Sequence, residues 1–289
     1  MSTVEMEVFS NSQLVIITIL MLLGGEVFSS LLEIQLEIRA KLPKQLPTMT
    51  RHELARVSHS DHLDAENQDK PNSDPNTEYL KHNSRRYLGY VGLGYHLVAH
   101  IVGSLLVYIY IILSPSATQV LKSKGIGAQT FSVFVTVSTF ANGGFIPMNE
   151  NMIVFKKNSG LLLLLIPQFL LGNTLYPCFL RFSIRVLETM TRKREFGFML
   201  RNHREVGYEN LLSSSHSALL ALTVLGFVLV QLIMFCAMEW DSEALAGMNW
   251  YERFVASLFQ VVNSRHAGES VVDISTLSSA ILVLFVVMM

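Results

Sequence analysis

An all-α membrane fold, assembled from repeated units of helix, re-entrant loop and helix, is predicted by three observations. The first is composition: half of the 289 residues are hydrophobic, 16% are charged and the mean hydropathy is +0.38, whereas soluble domains carry about a quarter charged residues. The second is Thr130 to Pro147, TFSVFVTVSTFANGGFIP, apolar yet too short and too broken to cross a bilayer. Thr130 to Phe140 supplies about three helical turns, roughly half of the ~20 residues that a crossing needs. Ala141-Asn142-Gly143-Gly144 cannot prolong a stable helix, because paired glycines carry a large entropic cost and readily take positive φ. The third is that Trp250 to Ser270, WYERFVASLFQVVNSRHAGES, repeats the plan. Setting Val137 to Gly144 (VSTFANGG) against Val261 to Gly268 (VVNSRHAG) puts a glycine at the same place, with Asn, Ser or Thr before it, which is an internal repeat.

In chain order, Met1 to Asn11 is polar and Ser12 to Ile38 is apolar and long enough to span. Gly24-Gly25 predicts close approach of a neighbouring helix. Glu26, near the middle of that segment, is expected to face protein and be paired there, with ion binding as the other reading. Arg39 to Arg86 is polar and punctuated by Pro43, Pro47, Pro71 and Pro75, and reads as a poorly ordered connection. Its basic residues gather at both ends, which marks it as cytoplasmic.

Tyr87 to Leu113 is the next span. His96 and His100 share one helical face, as metal ligands could. No nearby Cys, Asp or Glu completes a set, so packing is the expectation and no metal site is assigned. Ser114 to Gln129 is a linker. Asn158 to Leu187 returns across the membrane, with Pro167 and Pro177 expected to kink or loosen the helix. Seven basic residues between Arg181 and Arg204 give the strongest positive-inside signal in the chain. Ser214 to Trp240 spans again, and Asp241 to Met248 is acidic and extracellular by this count. Leu277 to Met289 is apolar and too short to cross.

Non-helical backbone at membrane depth is tolerated only where it is buried in protein or lines a watery cavity, so Thr130 to Pro147 predicts a pore. Taken alone the stretch fits equally an extracellular loop with a half-buried amphipathic turn, and the repeat decides between them. A bare cation needs fixed oxygens in place of its water, and the carbonyls of an extended glycine-containing loop provide them. The negative C-terminal end of each preceding short helix favours cations there.

Other classes are excluded or disfavoured. A net charge of −1 and a pI of about 6.8 leave no basic field, so no nucleic-acid partner is expected. Cys178 and Cys236 lie in apolar segments, as buried free thiols do. Leu14 to Leu23 lacks the flanks of a signal peptide. No nucleophile elbow, H-E-x-x-H pair or phosphate loop is present, so no enzyme and no cofactor are expected.

GNTLYPCFL at 172–180, VSTFANGGF at 137–145, NENMIVFKKNSG at 149–160, EVGYENLLS at 205–213 and SLFQVVNSRHAGES at 257–270 resemble the plant HKT transporters (high-affinity potassium and sodium transporters), relatives of the bacterial Trk and Ktr potassium transporters. The resemblance covers nearly the whole chain and is weakest in Arg39 to Arg86. It implies repeated helix–pore loop–helix units around a cation pore, incomplete at both ends: 1–38 closing a first repeat, 39–86 a cytoplasmic loop, 87–187 a second repeat with its pore loop at 130–147, 188–213 a second cytoplasmic loop, and 214–289 a third repeat with its pore loop at 250–270.

In that family each loop supplies one filter residue, and the matching glycines are Gly144 and Gly268. Ala141, Asn142, Gly143, His266 and Ala267 are expected to line or brace the filter. Arg265 is expected to pair with a carboxylate such as Glu269, away from the ion axis. The implied substrates are Na⁺ and K⁺, with sodium favoured. The implied setting is a multi-pass chain in plasma-membrane lipid, and a homodimer is left open. The residue that would tell sodium from potassium would precede Met1. An internal piece of a larger transporter is expected, with a non-conducting truncated form as the alternative; a receptor or purely structural membrane protein ranks lower.

Overall fold

The computed structural model describes residues 5–41, 75–265 and 268–288, and within them every regular element is helical. Most of the predicted 39–86 loop, Met1 to Val4, and His266 and Ala267 lie outside the described residues.

α1 (Asn11–Gly24) starts at a Ser10 cap, whose backbone N–H donates to Gln13 Oε1 at 2.8 Å. Gly25 is extended, and α2 (Glu26–Lys41) leaves at 60° to α1. The apolar run from 12 to 38 is therefore a broken span. Gly25 does allow the predicted close approach, since a Cβ there would lie 3.2 Å from Ala141 Cβ, whereas Gly24 faces open space. Glu26 corrects its expectation: it is exposed and opens α2, where a carboxylate complements the positive end of the helix.

α3 (Pro75–Leu113) has 39 residues, or about 58 Å, nearly twice the ~30 Å hydrocarbon core. Its first turns project beyond the span and dock at the basic end of the molecule, where Arg85 Nε donates to Val206 O at 2.6 Å and Arg85 lies 3.7 Å from Glu37. The expected linker contains a helix, α4 (Pro115–Ser123), with proline in its first turn and Ala117 and Leu121 buried. After a turn at Gly125 (φ 68°) comes α5 (Ala128–Phe140), buried from Phe134 to Phe140 without interruption and packed among α1, α3 and α6.

α6 (Ser159–Gly172) and α7 (Tyr176–Thr191) meet at 84°. The break falls at Asn173 to Leu175, not at the prolines: Pro167 stays inside α6, and Pro177 sits in the first turn of α7, where its missing N–H costs nothing. α8 (Arg194–Arg201) and α9 (His203–Val206) form the basic end, where buried Arg181 donates to Leu212 O at 2.6 Å and Leu200 O at 3.1 Å. α10 (Ser214–Glu239) is unbroken, and α11 (Trp250–Asn263) is the second short helix, ahead of α12 (Ser279–Met288). Among the described residues, α3 and α10 alone are long and apolar enough to cross a membrane singly; the α1–α2 and α6–α7 pairs pass that test only together.

α6 lies between the two short helices, with Phe169 on Phe259 at 5.5 Å between ring centroids. One core holds Phe131 and Val135 of α5, Leu161, Leu162, Leu165 and Ile166 of α6, and Val255, Phe259 and Val262 of α11. At its end Gly172 abuts the backbone carbonyl of Phe140, and a Cβ there would overlap that oxygen. Gly172→Ala is therefore expected to lower stability by about 1–3 kcal/mol, read as a fall in the thermal midpoint of the detergent-purified chain. Gly94→Ala, which meets nothing within 4 Å, should leave that midpoint in place.

Candidate functional site

Each short helix and its loop leave on the face by which they enter. Lys124, ahead of α5, holds Glu150, after the loop, with Nζ–Oε1 at 2.6 Å. Glu239, at the end of α10, accepts from the Ser278 N–H at the threshold of α12 at 2.9 Å. Both ends of each excursion are tied together, which is the geometry of a re-entrant segment and not of a crossing.

α5 stops at Phe140, with Ala141 and Asn142 between it and the glycines. Asn142 takes a left-handed conformation (φ 61°), and the Gly143 N–H reaches back to Ser138 O at 2.8 Å, closing the helix end. Gly144 (φ 68°) then turns the chain outward, and the Phe145 N–H donates to Ser138 Oγ at 2.9 Å. Ala141 rests on Gly25, and Gly143 faces Met21, whose sulfur would lie 2.7 Å from a Cβ at that position. At the other loop, Gln260 Oε1 accepts from the Val271 N–H at 3.1 Å.

Gly144 and Gly268, 124 residues apart in the chain, come together: a Cβ on Gly268 would lie 3.1 Å from Gly144 O and 3.7 Å from Gly144 Cα. A side chain at Gly268 would thus press on the other loop. The Gly268 carbonyl itself accepts from Asn151 Nδ2 at 2.9 Å. Asn142 and Gly143 stand beside Gly144, while His266 and Ala267 fall outside the described residues.

The expected Arg265–Glu269 pair does not form among the described residues. Arg265 is exposed, whereas Glu269 is fully buried, with Ser138 beside its carboxyl group. His96 and His100 pack on Phe140, the last residue of α5, at 5.3 and 4.6 Å between centroids, and His100 Nδ1 lies 2.8 Å from His96 O.

The signature of TrkH, a cation transport protein family, matches residues 73–289. The chain belongs to the TrkH family. It is similar to the sodium transporter HKT1 of Arabidopsis thaliana, 50% identical over 295 aligned positions that take in all of this chain and 57% of that protein. Against the cation transporter HKT1;3 of Oryza sativa subsp. japonica the identity is 44% over 306 positions, covering all of this chain and 56% of that protein. A high-affinity potassium transport protein of Saccharomyces cerevisiae is 28% identical over 200 positions, 68% of this chain and 16% of that protein. The TrkH chain thus spans a little over half the length of its plant relatives.

Sequence reasoning missed the side chains that hold these TrkH loops, namely Ser138, Asn151 and Gln260, and the outer clip at Lys124. Asn151 lies within the NENMIVFKKNSG stretch, but polar residues flanking a loop give no sign of which backbone they will meet. In the clip, Lys124 Nζ also binds Glu7 Oε1 at 2.8 Å, and that same oxygen accepts from the Asn149 N–H at 3.2 Å. The Lys124 ammonium holds the Glu150 carboxylate below its ordinary pKa, and the hydrogen bonds that it donates to Glu150 and Glu7 raise that of Lys124. A lowered carboxylate pKa adds stability that is complete above the ordinary carboxylate value and is lost as pH falls through the lowered one. The thermal midpoint of the purified chain should therefore fall on acidification below pH ~4.3, and Lys124→Met should lower it at neutral pH while flattening that acid limb.

Proposed function

We propose that this chain contributes two pore loops to a monovalent-cation transporter of the plasma membrane, with Na⁺ as the main transported ion and K⁺ admitted. The observation that carries the reading is the meeting of Gly144 and Gly268, each at the turn of a segment that enters and leaves on one face. Apolar spans around a non-helical turn at membrane depth have a physical rationale when the turn lines a path for something polar. Buried α5 and α11 point their negative ends at the two turns, which favours a cation over an anion. The ion is the substrate, and no cofactor enters the reading.

Sodium is favoured by the 50% identity to a protein named as a sodium transporter, against 28% to one named as a potassium transport protein. The division into repeats at 87–187 and 214–289 rests on the shared plan of α5 with its loop and α11 with its loop. Gly144 has a positive φ that costs any other residue about 1–2 kcal/mol, and a side chain at Gly268 meets the opposite loop.

The test is Na⁺ and K⁺ current in oocytes expressing the 289-residue chain, and in oocytes expressing a chimera in which residues 1–289 replace the matching part of the Arabidopsis transporter. Sodium-dominated current from the chimera is expected, abolished by Gly144→Arg or Gly268→Arg at unchanged surface amount. Unaltered current in both arginine variants would reject the assignment of the two glycines. Current from the chimera alone would mean that the 289-residue chain does not conduct by itself.

A further inference from the structure

The segment leaving the second pore loop carries one side chain that reaches the third. Asn151 Nδ2 donates to Gly268 O at 2.9 Å, and Asn151 Oδ1 accepts from the Ser270 N–H at 3.1 Å. The same Oδ1 accepts from the Met152 N–H at 2.9 Å, which locks the amide in place. Asn151 has a left-handed backbone (φ 58°), a conformation that asparagine adopts far more readily than most residues. A single amide therefore grips the third loop on both sides of Glu269, one residue from each contact.

We propose that Asn151 is a positioning residue for cation selectivity, coupling the second and third pore loops so that the spacing of their ion-facing oxygens is fixed in common. The inference rests on the pore reading given above. Discrimination between Na⁺ and K⁺ depends on the size of the oxygen cage or on the number and field of its dipoles, and either property changes if one loop slides against its neighbour. Sites of this kind need their groups held within about 0.5 Å by surrounding hydrogen bonds. Gly268 touches Gly144 and has no side chain of its own to hold it there. Asn151 supplies that hold from outside the ion path, and by occupying the Gly268 carbonyl it leaves coordination to other oxygens of the loop.

Two substitutions separate this role from folding. Asn151→Gly removes the amide but keeps a backbone at ease with positive φ. Asn151→Asp keeps the shape and the acceptor for Ser270 while losing the donor to Gly268. In the chimera described above, reversal potentials in Na⁺ and K⁺ baths are expected to show the K⁺/Na⁺ permeability ratio changed about fivefold in Asn151→Gly, the scale of one lost hydrogen bond. Asn151→Asp should shift it in the same sense. Loss of current in Asn151→Gly at normal surface amount, with a shifted ratio in Asn151→Asp, also supports the proposal. A native ratio in Asn151→Gly overturns it, as does a native ratio in Asn151→Asp where Asn151→Gly fails to reach the surface. Failure of both variants to reach the surface overturns it in favour of a folding role. A silent chimera with Asn151 in place rejects the pore reading and this proposal together, whereas a native ratio in the variants rejects this proposal alone.

Discussion

Backbone that ceases to be helical inside a bilayer must have its freed amides and carbonyls answered by protein, because lipid offers no hydrogen bonds. That constraint accounts for several of the polar side chains buried among the described residues. Ser138 answers the Phe145 N–H and Gln260 the Val271 N–H, each from the short helix that precedes its loop. Glu239 answers Ser278 where α12 begins, and Tyr95 donates to Leu171 O at 2.8 Å, taking a carbonyl that the break between α6 and α7 leaves without its helical partner. Two short helices ending in irregular loops are sustainable at this depth only because such partners surround them.

The two helix breaks belong to the same design. Gly25 touches Ala141 and Gly172 touches the Phe140 carbonyl, so both bent pairs change direction beside the end of α5. A straight helix on either side would run alongside that end and crowd it. The bends of 60° and 84° set both breaks against the end of α5. The absence of a side chain at Gly25 and Gly172 lets the two breaks come close enough to hold α5 from both flanks.

Much of this was legible in the chain because hydropathy and glycine report directly on burial and backbone freedom. Thr130 to Phe140 and Trp250 to Val262 are too short to cross and end at turn residues, and they form α5 and α11 nearly to the residue. The breaks were not legible: Ser12 to Ile38 has the length and apolarity of one span, and the bend at Gly25 comes from its contact with Ala141, over a hundred residues away. Pro167 and Pro177 drew the expectation of a kink, but tertiary packing of Gly172 on Phe140 decided where α6 stops. The linker before α5 hid α4, whose buried face is only Ala117 and Leu121. Arg265 and Glu269 lie close in sequence, yet one is exposed and the other buried. Glu26 at mid-run suggested a buried partner; once the run is broken beside it, the same residue becomes the exposed first residue of a helix.

Polar contacts link the exit segments and loops in sequence order. Asn149 and Glu7 exchange contacts, with the Asn149 N–H on Glu7 Oε1 at 3.2 Å and the Glu7 N–H on Asn149 Oδ1 at 3.5 Å, which joins the segment before α1 to the exit of the second loop. Two residues on, Asn151 joins that exit to the third loop. Shifted by the 124 residues that separate Gly144 from Gly268, Asn149 and Asn151 correspond to Asp273 and Ser275. Those two turn on each other, with Asp273 Oδ1 accepting from the Ser275 N–H at 2.9 Å and from its hydroxyl at 2.8 Å, and both are exposed. Corresponding positions thus carry short polar side chains in both repeats, reaching across to a neighbouring loop in one and closing locally in the other. Under the proposed pore reading, hydrogen bonds that join one loop to the next make the geometry offered to an ion a property of the linked set and not of one glycine.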